Sequence, residues 1–274
     1  MQGAIEVVMM LLSVLQANAV VLDIDANLKT VDAAAQRAAA AGASLLLTPE
    51  LFSVGYAPLR LHAELDPAVL PSIRGRLAEI ARSHAIGLVY SLPAVSEDGR
   101  WLITATLLDP QGAVLLEYAK VHLFGADERK AFSAAQEPPA VVDFNGIKTS
   151  LLICYDVEFP ESVRAAATRG AELLLVPTAL SAGFDAVPQV LIRARALESQ
   201  LNVAYANHSG TEEGCDFFGG SVVAGPDGSL LAAAGDGAEL LFAEISTESV
   251  KAAREGVPYL RERRPELYRE WENS

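Results

Sequence analysis

Three residues in this chain have surroundings that suit covalent chemistry. Cys154 ends the apolar run Leu151-Leu152-Ile153 and is followed at once by Tyr155-Asp156-Val157-Glu158-Phe159-Pro160-Glu161, where a helix should begin. A thiol at a strand-to-helix turn has backbone N–H groups beside it, which is what a developing oxyanion needs. The plain alternative is a small buried apolar residue, the usual fate of a lone cysteine. Glu50 follows the apolar run Leu45-Leu46-Leu47 through Thr48-Pro49, and Lys120 follows the run at 113–118. Taken singly, Glu50 reads as a helix or turn cap and Lys120 as a solvated edge charge. Together they put a base, a cation and a thiol at the C-terminal ends of strands, where sites assemble in open α/β folds.

Other chemistries find less support. The sequence has no Gly-rich phosphate loop, and Gly219-Gly220-Ser221-Val222-Val223 lacks the final glycine of a nucleophile elbow. His62, His84, His122, His208 and the two cysteines show no paired metal-ligand spacing. No metal or cofactor is therefore expected. The second cysteine, Cys215, lies in the polar stretch Gly214-Cys215-Asp216 and reads as incidental.

The 274 residues are 51% hydrophobic, which excludes a disordered chain and is ample for a buried core. With 21 basic and 35 acidic side chains the formal charge is −14, which argues against nucleic acid or anionic membrane as partner and leaves a small neutral or cationic substrate. Two cysteines cannot form a disulfide framework, so a reducing, cytoplasmic setting is expected. The apolar run at 7–15 (VVMMLLSVL) is preceded by Met-Gln-Gly-Ala-Ile-Glu, without the basic flank of a signal peptide, and is too short to span a bilayer. It reads as a buried strand.

The elements that must position these residues alternate. Apolar strands are expected at 7–15, 44–48, 86–92, 149–154, 173–177, 202–206 and 240–245, with helices at 27–41, 71–84, 161–169 and 189–199. Gly42 suits a helix C-cap. Two hairpins are expected around Asp109-Pro110-Gln111-Gly112 and Gly225-Pro226-Asp227-Gly228. Continuous apolar strands separated by helices imply sheets covered by helices, and the hairpins make those sheets mixed. One domain over 1–274 is read, its charge-rich tail from 251 an arm that packs on something.

The segments Thr48-Pro49-Glu50-Leu51-Phe52, Tyr118-Ala119-Lys120-Val121-His122-Leu123-Phe124-Gly125 and Cys154-Tyr155-Asp156-Val157-Glu158-Phe159-Pro160-Glu161 resemble, in order and spacing, the Glu–Lys–Cys set of the nitrilase superfamily of carbon–nitrogen hydrolases. The resemblance extends over nearly the whole chain. It implies an α-β-β-α sandwich that pairs into a homodimer. It further implies that Cys154 is the nucleophile, Glu50 the general base, and Lys120 with the Tyr155 N–H the oxyanion site. Amidases of this family carry a second glutamate eight residues after the lysine, which falls on Glu128; its plain reading is a surface charge. Two departures stand outside the catalytic positions: Ala119 where relatives often have Arg, and Ile103 where many have Asn.

The residues around Cys154 look most like those of short bacterial aliphatic amidases, including enzymes of ω-amino amides such as 5-aminopentanamide. The expected reaction is hydrolysis of a small linear amide to acid and ammonia through a thioester. The nearest rival is an N-carbamoyl amino acid or carbamoyl-amine hydrolase, followed by a nitrilase and by a catalytically idle scaffold. Tyr56 and Phe184, with Tyr155, would wall an apolar pocket, and Glu158 could receive a substrate ammonium.

Overall fold

The apolar runs become the inner strands of two six-stranded sheets. The computed structural model describes residues 7–274. Residues 1–6, whose lack of positive charge entered the reading of the N-terminus, lie outside it.

The first half of the chain runs β1 (Met9–Gln16), α1 (Ile24–Ala40), β2 (Leu45–Leu47), α2 (Pro58–Glu64), α3 (Leu70–His84), β3 (Gly87–Val95), β4 (Trp101–Leu108), β5 (Val114–Ala119) and α4 (Gly125–Ala131). The second runs β6 (Val141–Phe144), β7 (Ile147–Leu151), α5 (Pro160–Thr168), β8 (Leu173–Pro177), α6 (Ile192–Ser199), β9 (Asn202–Ala206), β10 (Ser209–Glu212), β11 (Cys215–Phe218), β12 (Val222–Ala224) and β13 (Leu230–Ala233). The chain closes with β14 (Glu239–Ser246), α7 (Thr247–Gly256), α8 (Tyr259–Glu262) and α9 (Pro265–Glu272).

One sheet has the order β14-β1-β2-β3-β4-β5 and the other β13-β12-β9-β8-β7-β6. In each, three strands run parallel at the centre (β1, β2, β3 and β7, β8, β9), flanked by antiparallel neighbours. The halves thus repeat one plan: a strand, a crossover helix, a strand, a helix, a third strand and a hairpin. The sheets pack face to face through β1, β2 and β3 against β8 and β9. Helices α1 and α3 pair over one sheet, α5 and α6 over the other. The result is the expected α-β-β-α sandwich of mixed sheets.

Sequence explains most of these boundaries. α1 starts at Asp23, whose carboxylate accepts from the Ala26 N–H, and it buries Leu28, Val31, Ala35 and Ala38 along one stripe. α3 ends at Ala85, which takes the left-handed φ of 50° in the C-capping position. β2 and β8 are buried at every position, as strands covered on both faces must be.

Some expectations shift. The strand expected at 149–154 ends at Leu151, so Leu152 and Ile153 leave the sheet and Cys154 opens a 3₁₀ turn, Cys154–Glu158. Helix 189–199 begins earlier, as a wide π-type turn at Val187–Leu191 that continues into α6. Hairpins β6–β7 and β10–β11 and helices α2 and α4 were not expected. The tail from 251 is helical, beginning inside α7.

Candidate active site

Glu50, Lys120, Glu128 and Cys154 meet in the seam between the sheets. Glu50 follows β2 and Lys120 follows β5 in the first sheet; Cys154 follows β7 in the second. All four are buried. Lys120 Nζ donates to Glu50 Oε1 at 2.8 Å and to Glu128 Oε1 at 2.7 Å, so one ammonium sits between two carboxylates.

Each side chain is held through its backbone as well. The Glu50 N–H donates across the sandwich to the Thr178 carbonyl at 3.1 Å. The Glu50 carbonyl faces His208 Nε2 at 2.6 Å. The Lys120 N–H donates to the Ile103 carbonyl at 2.9 Å, extending the β4–β5 ladder by one bond. Ile103 therefore acts through its main chain, and a different side chain there leaves that support intact. Glu128 lies on α4, where its Oε2 accepts the Phe124 N–H at 2.7 Å and its Oε1 accepts the Tyr56 hydroxyl at 2.6 Å.

Cys154 has φ of +45°. A non-glycine residue in the left-handed region is costly, on the order of 1 kcal/mol, and such strain gathers at functional turns. Here it turns the chain sharply out of the sheet and presents Sγ to Glu50. The Ala179 N–H, just beyond β8, lies close enough to favour the thiolate, and Tyr155 sits in the first turn, whose N–H groups lack intrahelical partners.

The electrostatics follow from burial. Burial pushes the Glu50 carboxyl up to about 7, against the pull of Lys120. Burial also raises the Cys154 thiol, and the Glu50 carboxylate adds to it, while Lys120 and the Ala179 N–H oppose. For Lys120, burial disfavours the charge, but Glu50, Cys154 and Glu128 outweigh it and raise its proton affinity. Glu50 Oε2, the oxygen that Lys120 does not use, is buried without a hydrogen-bond partner among the described residues. The arrangement can therefore hold a proton between thiol and carboxylate beside a fixed cation.

Residues 11–255 match the carbon-nitrogen hydrolase family. The chain belongs to that family.

Among solved structures, an amidase of Nesterenkonia AN1 from the nitrilase superfamily superimposes with a TM-score of 0.89 at 45% identity, covering 96% of this chain and 97% of that one. A structure of a variant of that amidase carries the acetamide moiety of fluoroacetamide on its active-site cysteine. A hydrolase in the pqqF 5′ region of Pseudomonas protegens is 40% identical over 90% of this chain and 86% of its own. The 2-oxoglutaramate amidase of Bacillus subtilis is 32% identical over 82% of this chain and 87% of its own.

In this carbon-nitrogen hydrolase a cleft of about 450 Å³ borders the centre, with Glu128 and Ala179 in its wall. Tyr56, Phe124, Pro58 and Leu59 supply its apolar lining; Arg60, Asp127, Glu213 and Cys215 line it too. Phe184 is exposed and stands edge-on to Phe124 at 5.7 Å, outside the lining. Glu158 is also outside the lining; its carbonyl accepts from Arg195 at 2.5 Å, and burial raises its carboxyl. Cys215 lines the cleft, which the sequence reading did not anticipate.

Sequence reasoning missed the Ala179 N–H, because a backbone donor leaves no side-chain signal. It also missed Asp156, which accepts the His122 N–H and the Tyr118 hydroxyl, and the ion pair of His208 with Glu212, four positions on, which reaches the Glu50 carbonyl and the Tyr56 N–H only in the folded chain.

Proposed function

We propose that this carbon-nitrogen hydrolase is an amidase that converts a small linear amide to a carboxylic acid and ammonia through a thioester on Cys154. The observation that carries the reading is the buried convergence of Glu50, Lys120 and Cys154 in a family whose relatives include amidases.

In this reading Glu50 takes the thiol proton as sulfur attacks the amide carbon, since the thiolate is the nucleophilic form. Lys120 and the Tyr155 N–H receive the negative charge that collects on the carbonyl oxygen; one such donor is worth about 10²–10³ in rate. The proton held by Glu50 passes to nitrogen, the C–N bond breaks and ammonia leaves. Glu50 then takes a proton from water, whose oxygen attacks the thioester carbon and releases the acid and the thiol. Glu128 keeps Lys120 in place and polarised.

A short substrate fits a cleft of about 450 Å³ with apolar walls. An ω-ammonium on that substrate is supported by the charge at the cleft. Arg60 is already ion-paired with Glu64 and Glu213, and Asp127 adds a further carboxylate. A homodimer belongs to the same reading, supported by Tyr259 and Trp271, which stand exposed on the C-terminal helices, and so does a cytoplasmic setting, supported by two free thiols.

Ammonia release from C2–C6 amides, with and without an ω-amino group, tests the proposal alongside nitriles and N-carbamoyl compounds. Release from short amides, abolished in Cys154→Ala, is the expected result. Turnover confined to nitriles or to carbamoyl compounds, or an active Cys154→Ala, overturns it.

A further inference from the structure

Against the Glu50 main chain lies a second buried ion pair that the reaction as written does not use. His208, between β9 and β10, directs Nε2 at the Glu50 carbonyl at 2.6 Å and Nδ1 at Glu212 Oε1 at 2.6 Å. Both residues are buried. Glu212 Oε1 also accepts the Ala19 N–H at 3.0 Å, and its Oε2 accepts the Tyr56 N–H at 2.9 Å. A nitrogen facing a carbonyl must carry hydrogen, and a backbone N–H on each oxygen favours the ionised form of the Glu212 carboxyl. Both ring nitrogens are then donors, and the ring is an imidazolium. It packs against two aromatic rings, Phe217 at 4.8 Å and 28° and Phe52 at 5.6 Å and 41°.

We infer that His208, held charged by Glu212, is a positioning residue for the general base: it fixes the Glu50 main chain and keeps a positive charge behind the Glu50 carboxylate. The inference rests on the catalytic reading of Glu50 and Cys154. Replacing a buried ion pair by well-packed apolar residues is often neutral or stabilising, so stability alone is a weak reason for this one. Its position gives a better reason. Glu212 also holds the Tyr56 N–H, and the Tyr56 hydroxyl holds the Glu128 oxygen that binds Lys120. One pair therefore anchors both carboxylate supports of the lysine.

The groups that face His208 are Glu212 from β10 and, through its backbone carbonyl, Glu50 from the loop after β2; Lys120, Glu128 and Cys154 lie beyond Glu50. Burial works against charge on His208, and Glu212 outweighs it, so its proton affinity is raised. Glu212 is correspondingly lowered, burial notwithstanding. The Glu212 carboxylate beside the ring thus favours the cation against its burial. Removing it leaves the Glu50 carboxylate less stabilised, and Glu50 then ionises at higher pH.

The test uses the full chain as His208→Gln, Glu212→Gln and the double variant, with thermal unfolding recorded for each. Iodoacetamide alkylation of Cys154, located by peptide mass spectrometry, is followed from pH 5 to 9 beside ammonia release from a short amide. Each single variant is expected to move the half-maximal pH of alkylation upward by about one pH unit and to slow the reaction at pH 7 about tenfold. Each should lower kcat while KM stays within about threefold. In the double variant two amides can hydrogen-bond each other, so thermal stability should recover while the displaced profile remains. Single variants that fold as the parent and keep its alkylation profile overturn the inference. So does a double variant that regains the parent profile, because hydrogen bonding without charge would then suffice. Should the single variants not fold, the double variant decides alone. If the parent released no ammonia yet alkylated with a profile that these variants displace, the amidase reading would fail and the role of His208 would stand.

Discussion

Asp156 Oδ1 accepts the backbone N–H of His122 at 2.8 Å, tying the turn that carries Cys154 to the segment that carries Lys120. The same oxygen faces His122 Nδ1 at 2.8 Å, while Oδ2 accepts the Tyr118 hydroxyl at 2.9 Å and the Ile153 N–H at 3.4 Å. Nucleophile and cation come from different sheets, and this carboxylate fixes the distance between them. Asp156→Ala orphans buried donors at roughly 1–3 kcal/mol each. Chemical denaturation should show that loss, and kcat should fall more than about tenfold, since small misplacements at a reacting centre are costly.

The pH profile should carry the mark of Glu50. Burial raises its carboxyl to about 7, and a general base must be unprotonated. kcat/KM is expected to fall about tenfold per pH unit below 7. The thiol and Lys120 are both raised, so the profile should stay flat into the alkaline range. Steady-state rates from pH 5 to 9 decide it; a plateau extending down to pH 5 would contradict this assignment of the base.

Glu50 should also tax stability. Its folded-state proton affinity exceeds that of the unfolded chain, so the native state binds the extra proton. Its favourable contribution is complete below about 4.5 and is lost as pH rises towards 7. Glu50→Gln removes that dependence. Compared with Glu50→Gln, the parent should lose thermal stability between pH 4.5 and 7, and the variant should be inactive.

Strain at Cys154 can be read by comparing two inactive variants. At φ of +45° an alanine pays the left-handed penalty and a glycine does not. Cys154→Gly should therefore unfold at higher denaturant than Cys154→Ala, by about 1 kcal/mol. Equal midpoints would mean the turn relaxes once the thiol is gone.

Lys120 offers a contrast with Tyr56. Lys120→Met leaves Glu50 and Glu128 buried beside each other without their cation, a change of the kind that costs about 3–5 kcal/mol and here should also abolish turnover. Tyr56→Phe removes one hydroxyl donor to Glu128, worth about 1 kcal/mol. It should keep measurable activity, with kcat lowered modestly. Thermal melts and ammonia release on both variants separate the two.

The sequence made the inner strands, the long helices and the Glu50, Lys120 and Cys154 positions legible for one reason. Residues such as Leu45, Leu46 and Leu47 are apolar without alternation, and the chemistry stands where those runs stop. The β6–β7 hairpin had a signal too, Asn145-Gly146, which takes the two positive φ values that a tight hairpin turn requires. Its strand Val141–Phe144 is short and broken by Asp143, so the apolar pattern that would frame the turn is weak. α4 has seven residues, too few for a helical period to show. The His208–Glu212 pair and the Asp156 brace had no signal at all. The groups they hold lie tens to hundreds of residues away (Glu50, Ala19 and Tyr56 for the pair, Tyr118 and His122 for Asp156), and only folding brings them together. Glu158, four positions from Cys154, ends the 3₁₀ turn, and its carbonyl holds Arg195.

Base and lysine belong to one half of the repeated plan and the thiol to the other, and β14, after the second half, returns to pair with β1 over eight residues. A ribosome that has delivered the first half has made a proton acceptor and a cation with nothing to act on. Hydrolysis therefore begins only when the two halves have closed on each other, and turnover doubles as an assay of assembly: two separately expressed halves would regain activity only as a complex.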